Sequence, residues 1–222
     1  MPDTKPLQDT GPSRKTRLLR AAASVFAAKG FERASTREIC QAAGVNIGLI
    51  AYYFGDKLGL YRALMEQPVA DVMARMPPPD AALPLQPWLR GFYTAFLTPL
   101  RDGDEAMSQL MRLCARETLE PSAVYLEICQ QSIAPHHHAL VAMLAQRCGV
   151  AEVDAELHQL GFALVALVFD YWMSADYMEA VVPGLVYGPE AFERILHRLV
   201  GYGQALIEHE IALRQGKEKK HG

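Results

Sequence analysis

Residues 35–57 read STREICQAAGVNIGLIAYYFGDK, and this stretch decides the fold. Ser35 followed by Glu38 fits a capping box: the hydroxyl can accept from the Glu38 amide while the carboxylate reaches back to residue 35. The spacing predicts a short helix over 35–43 through Ile39, Ala42 and Ala43, stopped by Gly44 as a left-handed cap. Asn46 is the next candidate N-cap and opens a second short helix, Ile47 to Phe54. Gly55 and Asp56 break that helix and cap a longer one from Lys57 to about Arg75. Two short helices joined by a tight glycine turn make a helix-turn-helix. In such a unit the first helix crosses the nucleic-acid backbone and the second projects its N-terminal face into the major groove.

Working outward, Leu18, Leu19, Ala22, Val25 and Phe26 recur at helical spacing upstream. Ser13 is a candidate N-cap for that helix and Gly30 a candidate C′ residue. Downstream, Pro77-Pro78-Pro79 with Pro84 and Pro87 reads as a connector. Helices are then expected at about 87–98, 103–118, 121–148, 152–178 and 189–214. Their breaks fall at Pro99, Pro121, Gly149 and the Val182–Pro189 loop. No alternating β-branched run bounded by hairpin residues occurs, so the fold class is all-α. An N-terminal three-helix DNA-binding domain over 13–60 is expected to precede a helical bundle over 61–215, with mobile tails at 1–12 and 216–222.

The 222 residues are 50% hydrophobic and 21% charged. That is an ordinary globular composition, which excludes collagen-like, disordered and disulfide-scaffold classes. The longest apolar run, Leu160 to Phe169, is shorter than the ~20 residues a bilayer span needs. With a polar N-terminus as well, a cytoplasmic protein is expected. Cys40, Cys114, Cys129 and Cys148 lie far apart with no C-x-x-C pair, which argues against structural zinc and a disulfide framework. Net charge is −3, but its distribution is uneven. Residues 1–62 hold ten Lys/Arg against five Asp/Glu, a balance of +5; the rest hold twelve against twenty, a balance of −8. A basic head on an acidic body suggests a polyanionic partner for the head alone, with chance variation in surface charge as the alternative.

Over residues 14–65 the chain resembles the TetR family of transcriptional regulators. The residues that carry this are Arg17-Leu18-Leu19-x-Ala21-Ala22, Phe26-x-x-Lys29-Gly30-Phe31, Ser35-Thr36-Arg37-Glu38-Ile39, Ala42-Ala43-Gly44-Val45 and Tyr52-Tyr53-Phe54-Gly55-Asp56-Lys57. The resemblance implies DNA-binding roles for Thr36, Arg37, Asn46, Ile47, Gly48, Tyr52, Tyr53 and Lys57. Thr36 and Arg37 would meet phosphate at a helix start. Ile47 would touch a thymine methyl, and Gly48 would permit close approach. Tyr52 and Tyr53 match an aromatic pair with a hydroxyl on phosphate, core packing being the alternative for one of them. Lys57 matches a phosphate-contacting lysine. Ile47, Ala51 and Leu58 depart from the usual pattern, which implies modest direct readout and more reliance on DNA shape. Residues 46–57, with Ala134-Pro135 before a long helix, are most similar to the YbiH/CecR-type branch, linked with efflux and drug-response genes.

The family further implies a homodimer, a double-stranded DNA operator and a small-molecule effector, with repression the usual outcome. Helix 152–178 is apolar nearly all round, and helix 189–214 carries an apolar stripe. Leu160, Leu164, Leu167, Phe192, Ile195, Leu196, Leu199, Gly203 and Leu206 are the candidate dimer residues; an intramolecular core is the alternative. Phe92, Phe96, Met111, Arg112, Arg116, Glu117, Asp170, Trp172, Met173 and Tyr177 are the candidate effector-pocket residues. Asp170 directly follows the apolar run, and a buried carboxylate needs a partner, so Arg112 or Arg116 is expected to pair with it, a cationic ligand being the alternative. His136-His137-His138 cannot converge on one ion from successive helical positions and reads as a solvated face. Cys114 and Cys129 are candidate oxidant sensors, with inert buried thiols the alternative. No P-loop, G-x-S-x-G, H-E-x-x-H or dinucleotide fingerprint occurs, so no enzyme, cofactor or metal is expected. The competing class is a small-molecule-binding helical protein with only nonspecific DNA contact.

Overall fold

The structure is a computed structural model that describes residues 12–221, with side chains described to residue 216. Of the tail expected over 1–12, residues 1–11 therefore lie outside the described residues. Every regular element among the described residues is helical: α1 (Arg14–Arg33), α2 (Thr36–Ala43), α3 (Gly48–Phe54), α4 (Lys57–Met73), α5 (Leu85–Arg101), α6 (Glu105–Leu119), α7 (Ala123–Ile128), a π turn (Cys129–Ile133), α8 (Ala134–Cys148), α9 (Ala155–Val181) and α10 (Ala191–His221). Among the described residues no helix is long and apolar enough to cross a membrane.

The punctuation residues act largely as their chemistry dictates. The Thr16 amide donates to Ser13 Oγ and the Glu38 amide to Ser35 Oγ, both at 3.1 Å, which satisfies amides that have no partner inside the helix. The Glu38 carboxylate does not return to complete a capping box; it pairs with Lys29 at 2.6 Å. Gly44 adopts φ 62°, ψ 41°, so the Val45 amide reaches Cys40 O at 3.0 Å and closes α2. Gly30 (φ 76°) breaks the helical dihedrals inside α1, and a further turn follows to Arg33.

Two prolines depart from expectation. Pro99 does not end its helix; α5 runs on to Arg101, and the chain turns at Gly103 (φ 65°), where the Asp104 amide donates to Pro99 O at 2.8 Å. The single helix expected over 121–148 is divided by the π turn. Pro135 has no N–H to offer the carbonyl one turn back, and the Ala134 amide instead reaches five residues back, to Cys129 O. The expected tail at 216 onward is helical through His221.

Two apolar clusters build the molecule. The first joins the head to α4, α6 and α7 around Leu18, Phe26, Ile39, Ile50, Tyr61 and Met65. The second joins α5, α8, α9 and α10 around Leu89, Tyr93, Leu144, Leu164 and Leu199. The expected boundary at 60/61 therefore crosses continuous core, because α4 supplies both sides of it.

Candidate nucleic-acid interface and its joint to the body

Ile39 and Ile50 are buried in the first cluster, where α2 packs on α1 and α3 on α4, which turns the opposite faces outward. Ile47 is 53% exposed and Tyr52 77% exposed, on an outer face that also carries Gly48. Asn46 does not occupy the residue directly preceding α3, yet its Oδ1 accepts from the Gly48 amide at 2.9 Å and so starts the helix. Its side-chain NH2 group stays free for a base edge. Arg37 is exposed in the first turn of α2 and Thr36 half-buried beside it. Tyr53 is less exposed than Tyr52 and meets it edge to face, ring centroids 4.9 Å apart. The structure thus gathers Arg37, Asn46, Ile47, Gly48 and Tyr52 as accessible groups on the two short helices.

Lys57 is placed differently from expectation. Its ammonium donates to Phe31 O (3.0 Å), Glu32 O (3.4 Å) and Ala34 O (3.2 Å), and sits 4.4 Å over the Phe31 ring. The carbonyls at the end of α1 lack helical partners, and a cation there both satisfies them and complements the helix dipole. Its three donors are committed to the fold before any phosphate arrives.

The candidate effector residues do not share one cavity. Phe92, Phe96, Met111 and Trp172 are packed into the two clusters; Phe92 stacks on Trp88 at 5.2 Å, and Trp172 Nε1 donates to Phe96 O at 3.1 Å. Asp170 is exposed and accepts from Ser174 Oγ at 2.7 Å, so its expected pairing with Arg112 or Arg116 is not formed. The reason is helical phase: α9 turns Leu160, Gly161, Leu164 and Val168 inward, and position 170 falls on the outer face with Met173 and Tyr177. Arg112 is likewise exposed.

Arg116 and Glu117 instead form a joint. Arg116 Nη1 donates to the carbonyls of Ala27 (3.5 Å) and Ala28 (3.4 Å) at the end of α1, and its Nη2 to Glu120 at 2.7 Å. Glu117, only 3% exposed, accepts from the Tyr61 hydroxyl (2.7 Å), the Ser122 amide (2.6 Å) and Ser122 Oγ (3.2 Å). Consecutive residues of α6 thereby hold α1 and α4. Their local partners Glu120 and Ser122 lie within five residues, but the sequence carried no signal for those on α1 and α4, which lie 56 or more residues away.

Most candidate dimer residues serve the chain's own core. Leu160, Leu164, Ile195, Leu196, Leu199 and Gly203 are buried within it, Leu167 and Phe192 are half-buried, and Leu206 is exposed. The stripe on α10 faces α5: a Cβ on Gly203 would stand 2.8 Å from the Tyr93 hydroxyl. Apolar side chains left outside include Phe162, Met173, Tyr177 and Val181 on α9, and Tyr202, Leu206 and Leu213 on α10.

His136 and His138 are exposed, but His137 is half-buried; its Nε2 lies 2.9 Å from His158 Nδ1 and its ring stacks on Phe162 at 4.1 Å. Burial, and the neighbouring His158, hold its pKa below the usual imidazole value. Among the described residues no group of three or more His, Cys, Asp or Glu can hold a metal ion. Burial pushes the Cys114 thiol up to about 12, which disfavours the reactive thiolate.

A short, outward-facing recognition helix behind a supporting helix and a glycine turn defines a helix-turn-helix DNA-binding protein. Residues 18–64 match the model of bacterial regulatory proteins of the tetR family, and residues 85–205 match the C-terminal domain of the HTH-type transcriptional dual regulator CecR. The chain is 30% identical over 179 residues to the HTH-type transcriptional dual regulator CecR of Shigella flexneri, covering 75% of this chain and 78% of the relative. This protein belongs to the TetR family of transcriptional regulators, with a C-terminal domain of the CecR type. The fold is also that of a TetR-like transcriptional regulator from Rhodococcus sp. RHA1 (TM-score 0.55, 21% identity, 88% of this chain and 98% of that one). A second Rhodococcus transcriptional regulator matches with TM-score 0.52 and 23% identity over 86% of this chain and 95% of that one.

Proposed function

We propose that the protein is a cytoplasmic, ligand-responsive repressor that binds a two-fold symmetric operator as a homodimer and is released by a small molecule, with efflux or drug-response genes among its targets. The observation that carries this is the exposure of Ile47 and Tyr52 beside Arg37 and Asn46, on helices whose opposite faces are buried. Ile47 meets a thymine methyl, the free amide of Asn46 a base edge, and Arg37 and the Tyr52 hydroxyl phosphate. The exposed apolar side chains on the outer faces of α9 and α10 form the contact between protomers. Two recognition helices must then stand about one DNA turn apart, ~34–36 Å. α4 leaves the head and is held by Glu117 through Tyr61, so a shift of α6 on ligand entry tilts α4 and spoils that spacing.

Selection of duplexes from a random pool by the purified chain tests this. A two-fold symmetric winner that survives salt concentrations releasing scrambled duplex supports the proposal. Equal loss of both duplexes leaves only nonspecific contact and sinks it.

A further inference from the structure

A cavity of about 190 Å³ lies between the C-terminal end of α5, the loop over 182–190 and the first turns of α10, and none of the candidate effector residues lines it. Leu97, Leu100, Val186, Phe192 and Ile195 supply its apolar walls, and Arg101 stands at its solvent side. An apolar cavity of about 150 Å³ lined by Leu, Ile and Phe stays dry and takes up a benzene-sized molecule. The space between α5 and α10 is thus the size of one ring with a short substituent.

The wall formed by the loop is built independently of any occupant. The Glu179 carboxylate accepts from the amides of Gly184 (2.5 Å), Val186 (2.9 Å) and Tyr187 (3.2 Å). Arg194 donates to Gly184 O (2.6 Å) and Leu185 O (3.1 Å), and the Tyr187 hydroxyl to Asp176 (3.1 Å). These three amides hold the Glu179 carboxylate below its usual pKa range, so the clasp remains charged at neutral pH. A loop pinned at both of its faces does not have to be ordered by a ligand, which removes a main cost of binding.

Charge at the mouth selects against anions. Arg101 lies 4.7 Å over the Phe192 ring, but its Nε donates to Asp102 Oδ1 at 2.7 Å and its Nη2 to Oδ2 at 3.3 Å. Its charge is therefore partly offset by Asp102, which leaves less to attract an incoming carboxylate. The remaining N–H groups can still donate to one neutral oxygen or nitrogen.

We propose that this cavity is a binding site for a small uncharged aromatic molecule, its ring against Leu97, Leu100, Phe192 and Ile195 and its polar atom at Arg101. The site goes beyond the regulatory reading and does not depend on it, since occupancy is measured without DNA.

Phenol, indole and benzyl alcohol titrated into the isotopically labelled full chain provide the test. Saturable amide shifts centred on 97–101 and 186–195 are expected, with benzoate at least tenfold weaker than benzyl alcohol. Leu100→Trp, which fills the cavity, is expected to weaken binding at least tenfold while circular dichroism stays unchanged. Should that variant not fold, the wild-type shift map and the benzoate comparison decide. The proposal is overturned by absence of saturable shifts, by shifts centred on Phe96, Met111 and Trp172, by benzoate binding as well as benzyl alcohol, or by unchanged affinity in folded Leu100→Trp.

Discussion

The Tyr61 hydroxyl donates to Glu117 Oε1 at 2.7 Å and ties α4 to α6 across the first core cluster. Tyr61 is fully buried, meeting Phe26 and Phe31 edge-on, and Glu117 is the buried charged side chain among the described residues. A hydrogen bond to a charged group contributes about 1.5–3 kcal/mol, and losing it underground leaves a carboxylate short of one donor. Tyr61→Phe is expected to lower unfolding free energy by that amount in denaturant titrations. Combined with Glu117→Gln, the two losses should couple by about 0.5–3 kcal/mol in a double-mutant cycle. Additive losses would mean that the contact carries no energy.

Gly59 marks the tightest passage in the head. A Cβ there would stand 1.9 Å from Phe54 O, a backbone atom that cannot swing aside, while the Gly59 amide is held by Asp56 Oδ1 at 2.8 Å. Gly59→Ala is expected to push α3 away from α4, abolish operator binding and destabilise the head by about 3 kcal/mol, the upper end of the usual overpacking cost. Loss of protection from hydrogen exchange in α2 and α3, with the second cluster unaffected, is the signature.

Tyr93 and Gly203 make a pair with opposite signs. The Tyr93 hydroxyl is buried without a partner, which costs about 1–3 kcal/mol relative to a satisfied group. Tyr93→Phe is therefore expected to raise thermal stability. Gly203→Ala places its methyl 2.8 Å from that same oxygen and should lower stability, whereas the double variant recovers most of the loss. Melting curves of the three variants check this; a destabilised Tyr93→Phe would indicate a hydrogen bond supplied by bound water.

The head was legible in the sequence because its devices are local. Ser35 acts three residues away, Gly44 closes its own helix, and Asn46 grips Gly48, so spacing alone carries the information. The body was legible as helices but not as surfaces. Leu164 and Ile195 satisfy an apolar stripe equally well inside one chain or between two, and helical phase over a 27-residue helix decides where Asp170 points. Lys57 was illegible for a related reason: its ammonium meets carbonyls about 25 residues away, which spacing does not reveal, and a lysine at that position would equally suit a phosphate. The π turn could have been inferred from Pro135, whose missing donor falls mid-way along an otherwise continuous helical pattern.

Asp154 and Arg214 close the far end of the second cluster with paired bonds of 2.8 and 2.9 Å. The Arg214 guanidinium, joined by the Leu157 amide, holds the Asp154 carboxyl down at about 2. A depressed folded pKa means stability that is present above the unfolded value near 3.8 and is lost as pH falls through about 2. Both acid-side slopes can be measured by denaturant unfolding between pH 7 and 2 for wild type and Asp154→Asn. The difference between them should be constant at neutral pH and shrink as acid is added; because Asp154 is partly exposed, it should also shrink with salt.

Arg37 and Lys57 separate phosphate contact from structural support. Arg37 is exposed in the first turn of α2, where no partner among the described residues uses its charge, so Arg37→Ala should leave thermal stability within about 0.5 kcal/mol of wild type. Each phosphate contact removed lowers the slope of log affinity against log salt by about 0.9, and Arg37→Ala should lose one such unit on operator and random duplex alike. Lys57 donates to three carbonyls at the end of α1. Lys57→Ala strips them of partners, and the expected result is a less stable head with the salt slope unchanged once the folded fraction is accounted for. A slope that falls by the same amount in both variants would place the Lys57 ammonium on DNA and show that its intramolecular bonds yield to phosphate.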